Sequence, residues 1–232
     1  MLIHGLQKLT LLDYPGKVAC TVFTGGCNFR CPFCHNGSLV LRPDEGEHIP
    51  EEELFALLKK RQGVLEGVCI TGGEPTLAFG LETLMARIKE MGYLVKLDTN
   101  GTRPKAVKRI IDAGLADMIA MDIKNSYKKY PETCGVPGYD TAPVKESIQL
   151  IMSSGIDYEF RTTLCQEFHK ETDITAIGLW LMGAKAYYLQ PYKESDGVLH
   201  PGLHAHSKEM LEEFVTILSA FIPKVEIRGM NE

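Results

Sequence analysis

The feature that most constrains the fold is a regular alternation of short apolar runs with longer segments of helical periodicity. The short runs are rich in β-branched and aromatic residues, which predicts strands at residues 18–23, 67–71, 93–98, 118–123, 158–163 and 185–190. The helical segments are residues 51–61, 81–91, 104–113, 142–154, 173–182 and 207–221. Six β–α units in succession predict an α/β fold with parallel strands and helical crossovers. An open doubly wound sheet and a partial barrel share this pattern.

Nothing along the chain marks a domain boundary, because repeats, low-complexity tracts and Gly/Ser linkers are absent from the sequence. A length of 232 residues suits one α/β domain, so we expect a single domain over residues 1–232. Residues 1–17 form a short lead before the first predicted strand, and residues 225–228 predict a final strand that extends the sheet.

Charge and hydropathy exclude several classes of partner. The chain has 25 basic and 30 acidic residues and a net charge of −5, which argues against non-specific nucleic-acid binding. Its most apolar stretch, residues 174–184, is shorter than the roughly 20 residues of a membrane helix. The N-terminal residues lack the pattern of a signal peptide. We therefore expect a cytoplasmic protein with no nucleic-acid or membrane partner.

Polar side chains gather where two successive predicted strands end. Lys96, Asp98 and Asn100 share one face of their strand, and Asp122 and Lys124 share a face of the next. Parallel α/β folds place their active sites at the carboxyl ends of the strands. This edge of the sheet is therefore the predicted site.

Three of the seven cysteines, Cys27, Cys31 and Cys34, lie within eight residues in a glycine-led loop after the first predicted strand. Three thiolates on one short loop can converge on a metal centre, and soft thiolates favour zinc or iron–sulfur. Structural zinc needs four ligands, and the adjacent His35 is awkwardly placed to join Cys34 on one ion. A 4Fe–4S cluster tolerates three protein thiolates and leaves one iron open. We favour one such cluster, with zinc as the alternative.

The C-x3-C-x2-C spacing, with the aromatic Phe33 just before the last cysteine, resembles the signature of radical S-adenosylmethionine enzymes. Three segments, Asp13-Tyr14-Pro15-Gly16-Lys17, Thr24-Gly25-Gly26-Cys27-Asn28 and Cys34-His35-Asn36, resemble activating enzymes of glycyl radical enzymes. The likeness is greatest to activases of anaerobic ribonucleoside-triphosphate reductase, with those of pyruvate formate-lyase as near relatives. It covers about residues 9–228 and is strongest before Lys124. It implies a partial (βα)6 TIM-like barrel with a parallel sheet and outer helices.

The resemblance also implies a reaction. A 4Fe–4S cluster on Cys27, Cys31 and Cys34, reduced by flavodoxin or ferredoxin, would cleave S-adenosylmethionine to methionine and a 5′-deoxyadenosyl radical. That radical would remove a hydrogen from a glycine of the partner, most simply anaerobic ribonucleotide reductase. Three alternatives stay open: an activase of another glycyl radical enzyme, a radical enzyme acting on a small molecule, and a zinc-stabilised binding module.

Further site residues follow from the same resemblance. Gly72, Gly73 and Glu74 are expected to hold the amino group of S-adenosylmethionine, although a plain strand-to-helix turn would also explain them. Phe33 is expected to pack on the adenine. Lys124 is expected near the carboxylate of S-adenosylmethionine.

The remaining expected site residues lie at the ends of later strands. Asp98, Thr99 and Asp122 could frame a monovalent cation, and the expected site also includes Asn100, Arg161 and Lys193. A structural Asp–Lys pair is the alternative at Asp122 and Lys124. Lys193 replaces a histidine of the relatives, which weakens the case for a ribose or adenine contact there. His200, His204 and His206 are expected in a solvated loop, with no role assigned to them.

Overall fold

The computed structural model describes residues 1–195 and 197–229, and its central feature is one eight-stranded sheet whose strand order follows the chain. The strands are β1 (Gly5–Thr10), β2 (Ala19–Thr24), β3 (Gly67–Gly72), β4 (Leu94–Thr99), β5 (Met118–Asp122), β6 (Asp157–Leu164), β7 (Tyr187–Pro191) and β8 (Val225–Ile227). Strands β2 to β8 run parallel, and β1 pairs antiparallel with β2. Because β1 and β8 do not pair in the described ranges, the sheet is a partial barrel, as expected.

Helices connect the parallel strands and cover the outer face of the sheet. They are α1 (Gly37–Leu41), α2 (Glu51–Lys60), α3 (Leu81–Glu90), α4 (Pro104–Asp112), α5 (Tyr130–Thr133), α6 (Ala142–Ser153), α7 (Glu171–Trp180) and α8 (Lys208–Ser219), with short 3-10 turns at Pro43–Glu45 and Pro75–Leu77. The six predicted helices are confirmed to within two residues at each end. No helix among the described residues is both long and apolar enough to cross a bilayer.

The two faces of the sheet differ in polarity, and this difference positions the site. Val22, Ile70 and Leu97 point outward and are fully buried against the helices, where burial of apolar surface stabilises the fold. The inner face instead carries charged side chains, including the buried Lys96 and Glu159. The barrel interior is therefore polar, and its charged groups lead up to the carboxyl ends of the strands.

The N-terminal lead differs from the expectation. Residues 5–10 form β1, which pairs with the edge of β2, with Gly5 opposite Phe23 and Thr10 opposite Ala19. At the other end, the predicted final strand is confirmed as β8. Residues 230–232 of the expected single domain lie outside the described residues.

Candidate active site

A cavity of about 230 Å³ lies at the carboxyl ends of the parallel strands. The structure brings twelve of the fourteen predicted site residues together around it: Cys27, Cys31, Phe33, Cys34, Gly72, Gly73, Asp98, Thr99, Asn100, Asp122, Lys124 and Arg161. Glu74 and Lys193 are not among its described lining residues.

The cysteine loop follows β2 and is held in place by contacts with residues that follow β5. The backbone N–H of Arg30 donates to the carbonyl of Cys134 at 2.8 Å, and the Phe29 ring packs on Tyr139 with 5.0 Å between centroids. Two N–H groups point at the Cys27 sulfur: the backbone of Phe29 at 3.4 Å and the Asn100 side chain at 3.8 Å. Donors to a sulfur favour its thiolate form and tune the potential of a bound iron–sulfur cluster.

Burial disfavours charge on these thiols when no metal is bound. It raises the pKa of Cys31 to about 12 and also raises the pKa of Cys27, although the Lys124 ammonium opposes both shifts. The neighbouring Cys34 thiol raises the pKa of Cys27 and of Cys31 as well, because the three thiols face the same space. Iron binding here would therefore displace protons, as thiolate ligation requires.

The arrangement of possible ligands suits a cluster better than a single ion. In the described ranges, no three Cys, His, Asp or Glu side chains converge where one metal ion could sit. Tetrahedral zinc needs ligands within about 2.3 Å of one point, whereas the thiolates of a 4Fe–4S cluster each bind a different iron. His35 lines the cavity, but its Nε2 lies 2.5 Å from the Lys193 carbonyl oxygen.

Two glycine loops meet beside the cysteines. A Cβ atom at Gly73 would lie 1.9 Å from the carbonyl oxygen of Gly26, so no other residue fits without moving the backbone. The backbone N–H of Glu74 donates to that same carbonyl at 2.8 Å. Gly72 has φ +118°, and a Cβ atom there would lie 2.4 Å from the backbone N and O atoms of Thr24. The loop after β3 is therefore bonded directly to the loop that carries the cysteines.

Glu74 is fully buried behind this junction rather than exposed to the cavity. Its carboxylate accepts hydrogen bonds from the backbone N–H groups of Thr76 (3.0 Å) and Asn100 (2.7 Å) and from the Thr99 hydroxyl (2.8 Å). Burial raises the pKa of Glu74, and these donors oppose the shift. The Glu74 carboxylate joins the loops after β3 and β4, so its hydrogen bonds are made to the protein and it does not line the cavity.

Five side chains of alternating charge run from the barrel interior to the cavity wall. Lys96 pairs with Asp98, Arg161 bridges Asp98 (3.2 Å) and Asp122 (3.0 Å), and Lys124 pairs with Asp122 (3.2 Å). Burial alone would raise the pKa of both carboxyls, but Arg161 and the lysines outweigh it. The pKa of Asp98 is lowered, and that of Asp122 falls to about 2.

Lys124 ends this series at the cavity. Burial alone would lower its pKa, but Asp122 and the nearby cysteines raise it above the ordinary value. Its ammonium is therefore charged at neutral pH and faces the space beside the cysteines. A carboxylate ligand would find an opposite charge here.

Phe33 is buried at the cavity wall and packs edge-on against Phe168, with 6.1 Å between centroids. His169 lies behind it and is fully buried. The Nε2 of His169 donates to the Lys124 carbonyl at 2.8 Å, and its Nδ1 accepts from the Cys165 N–H at 3.1 Å. Burial lowers the pKa of His169 to about 4. This neutral ring joins the ends of β5 and β6.

The polar residues late in the chain, from Lys193 to His206, are less closely associated with the cavity. The Lys193 side chain is exposed, and the Lys193 carbonyl oxygen lies 2.5 Å from the Nε2 of His35. His200 and His204 are exposed, and His204 pairs with Glu167. His206 is half-buried and packs on Phe214.

Sequence reasoning assigned no role to four polar residues of the cavity wall: Asn36, Thr71, Thr163 and Gln190. Asn36 donates to the Gly72 carbonyl at 2.8 Å and so connects the cysteine loop to β3. Thr163 follows Arg161 by two positions, so strand alternation could have identified it. No signal in the sequence marked Gln190 apart from its place at the end of β7.

Known proteins resemble this chain in sequence and in fold. The model of the radical SAM superfamily matches residues 21–175. A protein of Methanocaldococcus jannaschii, provisionally named a glycyl-radical enzyme activating enzyme, is 31% identical over 99% of this chain and 97% of its own length. Pyruvate formate-lyase-activating enzyme of Staphylococcus aureus is 30% identical over 53% of each chain. Streptococcus suis SuiB bound to S-adenosylmethionine has a similar fold, with a TM-score of 0.69 and 16% identity over 90% of this chain and 49% of its own.

The matched family segment contains the cysteine loop, both glycine loops and the series of charged residues. The family implies a 4Fe–4S cluster and S-adenosylmethionine, which agrees with the donor set of the cavity. The match to the Methanocaldococcus protein extends over nearly the whole of both chains. The chain therefore belongs to the radical S-adenosylmethionine superfamily and is a homologue of glycyl-radical enzyme activating enzymes.

Proposed function

We propose that this protein generates a glycyl radical on a partner enzyme, using one 4Fe–4S cluster on Cys27, Cys31 and Cys34 and S-adenosylmethionine bound beside it. One observation carries the proposal: the three thiols line a single cavity together with Gly72, Gly73 and Lys124. The other cysteines do not reach the described lining. A trio of thiolates leaves one iron of a cubane free for the amino and carboxylate groups of S-adenosylmethionine.

Cys27, Cys31 and Cys34 would hold the cluster, which when bound would supply an electron for reductive cleavage of a carbon–sulfur bond of S-adenosylmethionine. The residues of the chain orient that molecule. The Lys124 ammonium pairs with its carboxylate, the main chain of Gly72 and Gly73 faces its amino group, and Phe33 packs on its adenine. Glu74 fixes the glycine loop from behind, because its carboxylate is taken by protein donors.

Asn100 donates to the Cys27 sulfur and so belongs to the support of the cluster. Thr99 acts through Glu74, to which its hydroxyl is bonded. We leave Lys193 out of the ligand set because its side chain is exposed and outside the described lining.

The partner we propose is anaerobic ribonucleotide reductase, with pyruvate formate-lyase as the second candidate. The support for both is the sequence resemblance, together with the names of the relatives. A glycine target suits a reaction within the cavity, because a residue without a side chain allows the closest approach of a reacting group. The proposed reductant is flavodoxin or ferredoxin, and the proposed location is the cytoplasm, with residues 1–232 acting as one domain.

Anaerobic reconstitution tests the cluster. We expect about four irons per chain, and Cys31→Ala should lose most of this iron together with 5′-deoxyadenosine formation. Cys20→Ala is the matched control, because Cys20 is also fully buried but lies in the apolar core. Full iron binding by the Cys31→Ala protein would contradict the proposal.

Electron paramagnetic resonance tests the partner. Incubation of the reconstituted protein with S-adenosylmethionine, a reductant and anaerobic ribonucleotide reductase should give a glycyl radical signal. The same mixture with pyruvate formate-lyase should give less. A signal only with pyruvate formate-lyase would reassign the partner, and 5′-deoxyadenosine without a signal from either would favour a small-molecule substrate.

A further inference from the structure

Arg161 lies inside the barrel between two carboxylates that belong to different strands. Its Nη1 lies 3.2 Å from Asp98 on β4, and its Nε lies 3.0 Å from Asp122 on β5. Its own strand is β6, where Arg161 is the Cα partner of Asp122. The guanidinium thus passes over β5 to reach β4.

The strand register explains how this reach is possible. The residue opposite Asp98 on β5 is Ala120, a fully buried side chain of a single carbon. A small residue at that point leaves room for the arginine to cross the inner face of the sheet. The planar fork of a guanidinium can then donate to two carboxylates at once, which a single ammonium does less well.

Each carboxylate oxygen of Asp98 and Asp122 has a cationic partner from the chain. Lys96 and Arg161 take the two oxygens of Asp98, and Arg161 and Lys124 take the two of Asp122. The series holds three positive and two negative groups, so one positive charge is left in excess at its cavity end. A monovalent metal ion placed between the two aspartates would meet the guanidinium that already lies there.

We propose that Arg161 is a positioning residue that supplies, from within the chain, the positive charge between Asp98 and Asp122, so that this wall of the cavity needs no monovalent metal ion. Arg161 fixes Asp122, and Asp122 in turn holds the Lys124 ammonium toward the ligand. The contribution to ligand binding rests on the proposed function, whereas the contribution to folding does not.

Substituting Arg161→Gln tests this role, because it opens a gap between two carboxylates where a potassium or sodium ion could bind. Heat unfolding of the full-length chain is measured in potassium chloride and in tetramethylammonium chloride at equal ionic strength. We expect the unsubstituted chain to unfold at the same temperature in both salts. The Arg161→Gln chain should unfold at a lower temperature in tetramethylammonium and recover partly in potassium.

Binding of S-adenosylmethionine to the reconstituted protein is the second readout. Loss of the charge-assisted bond that fixes Asp122 should weaken binding about tenfold in tetramethylammonium, and potassium should restore part of it. Arg161→Lys should give an intermediate loss, because it keeps the charge but lacks the fork.

Arg228→Gln is the matched control. Arg228 is half-buried and also pairs with a buried carboxylate, but both of its bonds go to the single residue Glu159. The Arg228→Gln substitution should lower the unfolding temperature equally in both salts. The proposal is wrong if the unsubstituted chain needs potassium or sodium, or if Arg161→Gln responds to the salts as Arg228→Gln does. Failure to bind iron would instead contradict the proposed function, and the unfolding measurement would still stand.

Discussion

Acidification should weaken the fold through the buried His169, whose neutral ring joins the ends of β5 and β6. In the unfolded chain this imidazole has an ordinary pKa near 6.5, whereas burial lowers it to about 4 in the folded protein. The unfolded state therefore takes up a proton first as the pH falls. Stability from this group is complete above pH 6.5 and is lost progressively between there and pH 4.

The size of the loss follows from the two pKa values. Proton linkage gives a decrease of about 2 kcal/mol in the free energy of unfolding between pH 8 and pH 5. The full loss below pH 4 is about 3 kcal/mol, which is a large fraction of the stability of an ordinary domain.

Urea unfolding at several pH values measures the effect, with the fluorescence of Trp180 as the probe. Trp180 is the only tryptophan and packs on Tyr130, with 5.9 Å between ring centroids, so its emission reports on the core. His169→Gln keeps a donor and an acceptor but does not titrate. Its stability should fall about 2 kcal/mol less between pH 8 and pH 5 than that of the unsubstituted chain.

His200→Gln is the control, because His200 is exposed and carries no such burial. It should keep the full dependence on pH. Equal pH slopes for the unsubstituted chain and the His169→Gln chain would refute the assignment of a neutral, buried imidazole.

Two further predictions concern the junction of the glycine loops. Glu74→Gln places an amide N–H₂ against the N–H of Asn100, so the free energy of unfolding should fall by about 1–3 kcal/mol. The control Glu82→Gln, on the surface, should lower the free energy of unfolding by less than about 1 kcal/mol. Equal losses for the two variants in urea unfolding would contradict the role of the buried Glu74 carboxylate. Gly73→Ala should force the backbone away from Gly26 and reduce the iron retained after reconstitution. Gly46→Ala, where a Cβ atom meets nothing within 4 Å, should retain it, and iron counts that do not differ would disprove the close contact.

Much of the fold could be predicted because local signals agreed with the final structure. Pro104 begins α4, where a proline fits the first helical turn, and the glycines that follow α3, α4 and α6, Gly92, Gly114 and Gly155, all have positive φ. The exception is β1, where Leu9 remains 56% exposed, so neither a buried run nor a clean alternation marks the strand. Its extended form depends on pairing with β2, which is a tertiary effect that local sequence does not carry.

The site shows the same division between local and non-local information. Cysteine spacing is local, so the three thiols could be identified directly. The direction of the Glu74 side chain depends on the 3-10 turn that begins at Pro75 and on contacts with a different strand. The crossing of Arg161 to Asp98 depends on sheet register and on the small Ala120 between them. The sequence therefore names these residues, whereas the contacts that orient the Glu74 carboxylate and the Arg161 guanidinium depend on the fold.

The antiparallel β1 has a consequence for the strand that carries the cysteines. With seven parallel strands alone, β2 would be the border of the sheet, with half of its backbone groups unpaired and open to another chain. Because β1 covers that border, β2 has ladders on both flanks. Detaching the strand that leads into the cysteine loop then requires two sets of hydrogen bonds to break together. Fraying at this edge of the sheet is then left to β1, which carries none of the cysteines.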